Sequence, residues 1–152
     1  MKDRVYIIGA GMTPIVKFEG GSYENLCNIA ISEAMTDAGL DMESGQKSID
    51  AIWYGNCAQG LLTSQHSIRG QVILRRLGFM CMPVINVENA CATGSTALHQ
   101  AIHYILAGGA DLALAVAVEK MLPDLNALDD LPEIAAALPF LSLSAFWMGC
   151  EQ

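Results

Sequence analysis

Among the side chains able to do covalent chemistry, Cys91 is the best placed, in the run Asn89-Ala-Cys-Ala-Thr-Gly-Ser-Thr-Ala-Leu98. The residues before it, Pro83-Val-Ile-Asn-Val-Glu88, have the β-branched content of a short buried strand. After it, Ala97, Leu98, Ala101, Ile102, Ile105 and Leu106 recur at helical spacing, and Gly108-Gly109 closes the segment. Cys91 is therefore expected within about a turn of a helix start, where free backbone N–H groups and the helix dipole stabilise a thiolate. The same N–H groups suit an oxyanion forming on a carbonyl under attack. Small residues at Ala90, Ala92, Thr93 and Gly94 let a thioester come close. The pattern is that of a nucleophile.

The remaining reactive side chains have plainer readings. Cys27, Cys57, Cys81 and Cys150 are expected as small buried hydrophobes, with Cys57 and Cys81 flanking strand ends where they could line a pocket wall. His99 and His103 lie four apart, a spacing that two metal ligands can share, but Gln100 stands where H-E-x-x-H needs its Glu, and a third ligand is lacking. They are expected on a helix surface or interface, with no metal site. His99 would sit about two turns beyond Cys91, too far to act as its direct base. His66 falls on a polar loop and is assigned a structural or interface role. Gly9-Ala-Gly11-Met-Thr-Pro14 matches the opening of G-x-G-x-x-G, yet Pro14 replaces the third glycine and no helix follows directly. A tight turn out of a strand is the expectation.

Elements that could position Cys91 follow from periodicity and breakers. Val5–Ile8 reads as a first strand, broken by Gly9, Gly11 and Pro14. Ser22 is a candidate N-cap for a helix running to Ala38, with Leu26, Ile29, Ala30 and Ala34 as its stripe and Gly39 as its stop. Ile49–Tyr54 is a second strand, followed by a loop from Gly55 through Ser67 and a helix from Ile68 to Leu77 ending at Gly78. The strand before Cys91, the long helix after it and a strand at Leu112–Val118 complete the series. Strands alternating with helices indicate a layered α/β domain with a mostly parallel mixed sheet flanked by helices. Pro123, Pro132 and Pro139 mark residues 121–139 as loop with short helical pieces, and Phe140–Cys150 begins a new apolar segment. Such an ending suggests a truncated or split protein rather than a helix docked on its own domain.

Composition narrows the function classes. Hydrophobic residues make up 53% of the 152 and charged ones 16%, and the mean hydropathy is +0.36. That is apolar for a small monomer and points to a surface covered by another subunit or by the rest of a larger protein. The net charge of −8, with Arg75-Arg76 as the largest basic cluster, argues against nucleic acid binding. No run reaches the roughly 20 apolar residues of a membrane span. Met1-Lys-Asp-Arg-Val-Tyr-Ile-Ile enters a strand at once, without the apolar region of a signal peptide. Five scattered cysteines without C-x-x-C spacing suit a reducing cytoplasm.

Val84-Ile-Asn-Val-Glu-Asn-Ala-Cys-Ala-Thr-Gly-Ser-Thr-Ala-Leu98 closely resembles the nucleophile segment of the thiolase superfamily, and looks most like its sterol-carrier and lipid-transfer branch. Ile7-Ile-Gly-Ala-Gly-Met-Thr-Pro14, Ser22-Tyr-Glu-Asn-Leu26, Asp37-Ala-Gly-Leu40, Ile49-Asp-Ala-Ile52 with Gly55-Asn56, and Gly109-Ala-Asp111 leading to Val118-Glu-Lys-Met121 resemble the family in the same order. The resemblance divides the chain into an N-terminal thiolase core over residues 1–121 and the start of a loop or substrate-binding region over 122–152. It implies an acyltransferase of acetyl-CoA acetyltransferase or 3-ketoacyl-CoA thiolase type, active in lipid metabolism. Cys91 would form an acyl-enzyme, and its backbone N–H would be one oxyanion-hole donor. Acyl-CoA is then the substrate, with coenzyme A not bound covalently and no further cofactor.

Thiolases have a second, similar half that supplies a G-H-P-type histidine and a second acid/base, and neither is found in these 152 residues. The resemblance thus implies a chain inactive, or nearly so, by itself. It implies a homodimer or higher oligomer through the sheet edge beside the nucleophile strand. A separate C-terminal half, or a zinc-ribbon/OB-fold companion presenting acyl-CoA, would be further partners. Alternatives within the superfamily are a hydroxymethylglutaryl-CoA synthase- or ketosynthase-like condensing enzyme, and outside catalysis an acyl-CoA-binding scaffold subunit.

Overall fold

The computed structural model describes residues 4–16, 21–120 and 148–151. Strand β1 (Ile7–Ala10) leads to helix α1 (Tyr23–Asp37), and α2 (Met42–Ser48) precedes strand β2 (Ala51–Gly55). Two helices, α3 (Gln59–Thr63) and α4 (Arg69–Arg76), separate β2 from β3 (Val84–Val87). A single 3-10 turn (Ala90–Ala92) opens into α5 (Thr93–Leu106), followed by β4 (Ala113–Ala117) and β5 (Met148–Glu151).

The five strands form one sheet in the order β1-β5-β4-β2-β3. Strand β2 pairs in parallel with both β3 and β4, whereas β5 runs antiparallel between β1 and β4. The mixed, mostly parallel α/β sheet expected from the sequence is thus the observed architecture.

Side-chain alternation on β2 and β4 divides the core between the two faces. Ile52, Tyr54, Leu114 and Val116 point to one face and pack with Leu26, Ile31, Met35, Ile73 and Leu74 of α1 and α4. Ala51, Trp53, Ala113 and Ala115 point to the other and meet Ala97, Ala101 and Ile105 of α5. Fully burying a side chain such as Ile52 or Leu114 stabilises the fold by about 1.5–3 kcal/mol. The alanines on the α5 side give up area but let a helix lie close against the sheet. Trp53 closes that layer edge-to-face with Tyr104, at 5.1 Å between ring centroids.

Local signals explain most boundaries. Ser22 caps α1 by accepting the Asn25 N–H at 3.1 Å. Gly39 and Gly108 take positive φ just beyond α1 and α5. Three elements escape the sequence reading. Helix α2, capped by Asp41 on the Ser44 N–H at 2.7 Å, is a short polar helix with only Gly45 buried, so it leaves no apolar stripe. Helix α3 lies inside the expected loop from Gly55 to Ser67 and is one turn long. Strand β5 is four residues whose pairing comes from distant β1 and β4. The expected loop at 121–139 and most of the apolar segment at 140–150 lie outside the described residues.

Gly9 and Gly11 have a packing use. A Cβ on Gly9 would lie 2.3 Å from the Ala34 carbonyl oxygen, and one on Gly11 would lie 2.2 Å from that of Ala30. The glycine pair lets the chain leaving β1 lie directly against the backbone of α1. The Asp37 and Glu33 carboxylates of that helix accept the Ala10 and Met12 N–H groups at 2.9 and 2.8 Å.

Candidate functional site

Register brings the carboxyl ends of three parallel strands level. Gly55 of β2 is paired with Val87 of β3 and with Ala117 of β4, so Asn56, Glu88 and Val118 follow together, and Cys57, Asn89 and Glu119 after them. In open α/β sheets this edge is where ligands bind. Cys91 lies there, exposed, in the 3-10 turn between β3 and α5. The expected nucleophile is therefore at the start of the long helix.

The turn is held by its own side chains. The Thr93 hydroxyl accepts the Asn89 N–H at 2.9 Å and donates to the Ala90 carbonyl at 2.7 Å. The Asn89 side-chain amide donates to the Thr96 hydroxyl at 2.9 Å, and the Glu88 carboxylate accepts the Ala90 N–H at 2.9 Å. The Ala92 N–H donates to the Asn89 carbonyl and the Thr93 N–H to that of Ala90. These bonds use the amides of Asn89, Ala90, Ala92 and Thr93 and leave that of Cys91 out. Ala90, immediately before the cysteine, takes a left-handed conformation with φ +46°.

Beside the turn, the β2 end carries a polar cluster. The Asn56 side-chain amide donates to the Val118 carbonyl at 2.6 Å, and its oxygen accepts the Gln59 N–H at 2.9 Å. Glu119 accepts the Cys57 N–H, and its other oxygen accepts the Ala58 N–H at 3.1 Å. Arg69 donates to the Asn56 side-chain oxygen at 3.4 Å and to the Cys57 carbonyl at 3.3 Å. Burial pushes the Glu119 carboxyl above the usual glutamate range, against the pull of the two amides and of Arg69, while Glu88 adds to the rise. Burial also raises the Cys57 thiol, and the negative charges of Glu119 and Glu88 reinforce it. Two cysteines thus stand at one edge with different surroundings: Cys91 exposed on the turn, Cys57 half-buried among carboxylates.

The other candidates fall where their residue types allow. Cys27 is buried, as expected, and desolvation drives its thiol far up. Cys81 contradicts the expectation of a buried hydrophobe: it is exposed, with φ +68°, because the loop from Gly78 to β3 turns outward there. Cys57 corrects the same expectation by half, since the strand-end loop leaves it partly open. His99 and His103 are exposed on α5 and contact each other edge-on at 4.3 Å between ring centroids. His66 is exposed after α3, beside Gly60, where a Cβ would meet its Nδ1 at 3.0 Å. Among the described residues, no group of three or more His, Cys, Asp or Glu is arranged to hold a metal ion.

Sequence reasoning took Thr93 only as a small neighbour of Cys91 and missed Glu88, Arg69 and Glu119 as parts of this edge. Glu119 and Asn56 lie in segments that carry the family resemblance, but their pairing with the Cys57 loop needs the register of β2 and β4.

A family model described as "Thiolase, N-terminal domain" matches residues 5–129. Sterol carrier protein 2 of Bos taurus is 35% identical over 123 residues, which is 80% of this chain and 21% of that protein. An acetyl-CoA acetyltransferase of Methanocaldococcus jannaschii is 37% identical over 121 residues, 80% of this chain and 29% of that one. The solved acetyl-CoA acetyltransferase from Syntrophomonas wolfei matches with a TM-score of 0.64 at 29% identity, over 77% of this chain and 29% of its own. This chain therefore spans less than a third of the length of these relatives.

Proposed function

The chain belongs to the thiolase family through its N-terminal domain, and from that membership we propose that it carries the acyl-accepting thiol of an acyl-CoA acyltransferase. Cys91 adds to the thioester carbonyl of an acyl-CoA or to the 3-keto carbon of a 3-ketoacyl-CoA, and the carbonyl oxygen becomes an oxyanion. The adduct collapses by breaking the bond to the coenzyme A sulfur in the first case, or the C2–C3 bond in the second. The departing coenzyme A thiolate or acyl-CoA carbanion takes up a proton to replace the one that Cys91 gave up. From the first acyl-enzyme the acyl group passes to a carbanion, giving Claisen condensation; from the second it passes to the thiol of coenzyme A, completing thiolysis. The Cys91 N–H, unused by the turn, is one donor to the oxyanion. The observation that carries this reading is an exposed cysteine at the mouth of α5, on the sheet edge formed by the ends of the parallel strands.

The groups that activate the thiol are proposed to come from a second thiolase half, since the sequence contains no G-H-P-type histidine. The chain alone is then expected to acylate slowly and not to turn over. Edge strand β3, beside the nucleophile, is the proposed dimer seam, and a zinc-ribbon/OB-fold companion presenting acyl-CoA is a further proposed partner. Four free cysteines among the described residues suit a reducing compartment such as the cytoplasm. No helix of the described residues is long and apolar enough to cross a membrane.

Mass spectrometry after incubation with labelled acetyl-CoA tests the assignment. One acetyl adduct at Cys91, absent in Cys91→Ser, is the expected result. Acetylation that persists in Cys91→Ser overturns it.

A further inference from the structure

Ala90 immediately precedes Cys91 and is held in a conformation alanine disfavours. Left-handed backbone at a non-glycine residue brings Cβ against the following carbonyl, and it persists only where the surroundings over-determine it. Here both peptide groups flanking the Ala90 Cα are gripped. Its N–H is held by the Glu88 carboxylate at 2.9 Å and its carbonyl by the Thr93 hydroxyl at 2.7 Å. That hydroxyl simultaneously takes the Asn89 N–H at 2.9 Å, so a single side chain spans the turn. Thr93 is itself fixed: it is 5% exposed, and its methyl fills the notch above Gly55, where a Cβ would lie 2.9 Å from it. The β2 end, the β3 end and the helix start thus meet through one threonine.

We propose that Thr93, assisted by Glu88, is a positioning residue for Cys91: the two side chains form a clasp that locks Ala90 left-handed and so fixes where the nucleophile points. This rests on the acyl-transfer reading above for its consequence in catalysis, but not for its structural content. A thiol displaced by even a fraction of an ångström still meets a small mobile electrophile, whereas attack on a bound thioester requires alignment of sulfur, carbonyl and N–H donor.

Three variants separate the contributions. Thr93→Val keeps the shape and removes the hydroxyl, Thr93→Ser keeps the hydroxyl and removes the methyl, and Glu88→Ala removes the exposed arm without touching the core. Each is measured for amide exchange by NMR, for Cys91 alkylation by iodoacetamide and for Cys91 acetylation by acetyl-CoA. In Thr93→Val, exchange at Asn89 should accelerate about tenfold or more. Acetylation should fall about tenfold while alkylation changes less than about threefold. Thr93→Ser should restore both exchange protection and acetylation, and Glu88→Ala should free the Ala90 amide with a smaller loss of acetylation. Unchanged exchange in Thr93→Val, or equal damage in Thr93→Ser, overturns the clasp. If the parent chain takes no acetyl group while exchange responds as expected, the acyl-transfer reading fails and the clasp stands. Should Thr93→Val not fold, Glu88→Ala decides by the same two criteria, the Ala90 amide serving for exchange, and no change in either overturns the proposal.

Discussion

Cys57 and Cys91 share one edge of the sheet and differ in what surrounds their sulfurs. Burial and two carboxylates keep the Cys57 thiol protonated, whereas Cys91 stands open to solvent at a helix start. Limited iodoacetamide treatment near neutral pH should therefore label Cys81 and Cys91 and spare Cys27 and Cys57, as read by peptide mass mapping. Labelling of Cys57 as fast as Cys91 contradicts the electrostatic account. Glu119 supplies a pH test. Its carboxyl is raised in the folded chain, so the folded state holds that proton more tightly than the unfolded state. Its contribution to stability is then full below the ordinary glutamate range and is lost as pH rises through the raised value. Urea unfolding at a series of pH values should show this decline in the parent chain and a flatter profile in Glu119→Gln. Parallel profiles would contradict the assigned shift.

At the level of elements, two close approaches set the frame of the site. Gly11 lets α1 lie on the segment leaving β1, and Gly55 lets α5 settle over the end of β2. Gly11→Ala drives a Cβ into the α1 backbone and should cost about 1–3 kcal/mol, read by urea unfolding. Gly55→Ala meets the Thr93 methyl at 2.9 Å and the Ala117 Cβ at 3.1 Å, so it should cost a similar amount, about 1–3 kcal/mol. It should also slow the proposed Cys91 acetylation, because it pushes on the threonine that spans the Cys91 turn. A Gly55→Ala chain as stable and as readily acetylated as its parent would remove the link between β2 and the turn.

For the molecule as a whole, the layers are unequal. One face of the sheet is covered by α1 and α4, and among the described residues the other is covered by α5. Around β1, Tyr6, Ile7, Met12, Ile15 and Val16 are exposed, an apolar surface of the kind that marks an interface. With few charges to keep such a surface in water, association is the expected outcome. Sedimentation equilibrium at micromolar concentration should give a mass of two or more 16.2 kDa chains. A monomer across that range would contradict association through β3 or any other face.

Residue types and short-range pattern were enough to find Cys91, the strand before it, the helix after it and the alternating α/β order, because each is encoded within about fifteen neighbouring residues. The same local signals made the Gly9-x-Gly11 turn visible but not its use, which belongs to the α1 backbone at Ala34 and Ala30, 25 and 19 residues further along the chain. Helices α2 and α3 were too short and too polar to show a stripe, and β5 exists through pairing with two distant strands. The polar groups around the Cys91 edge were hidden for the same reason. Glu119 meets the Cys57 amide across a separation of 62 residues. Thr93, although adjacent in sequence, became a clasp only once Ala90 turned left-handed and Gly55 opened the notch that holds its methyl. The sequence by itself determined where the exposed cysteine proposed as the nucleophile falls, between a strand and a helix; tertiary structure decided how it is held, because hydrogen bonds and close packing between remote segments depend on the register of the folded sheet.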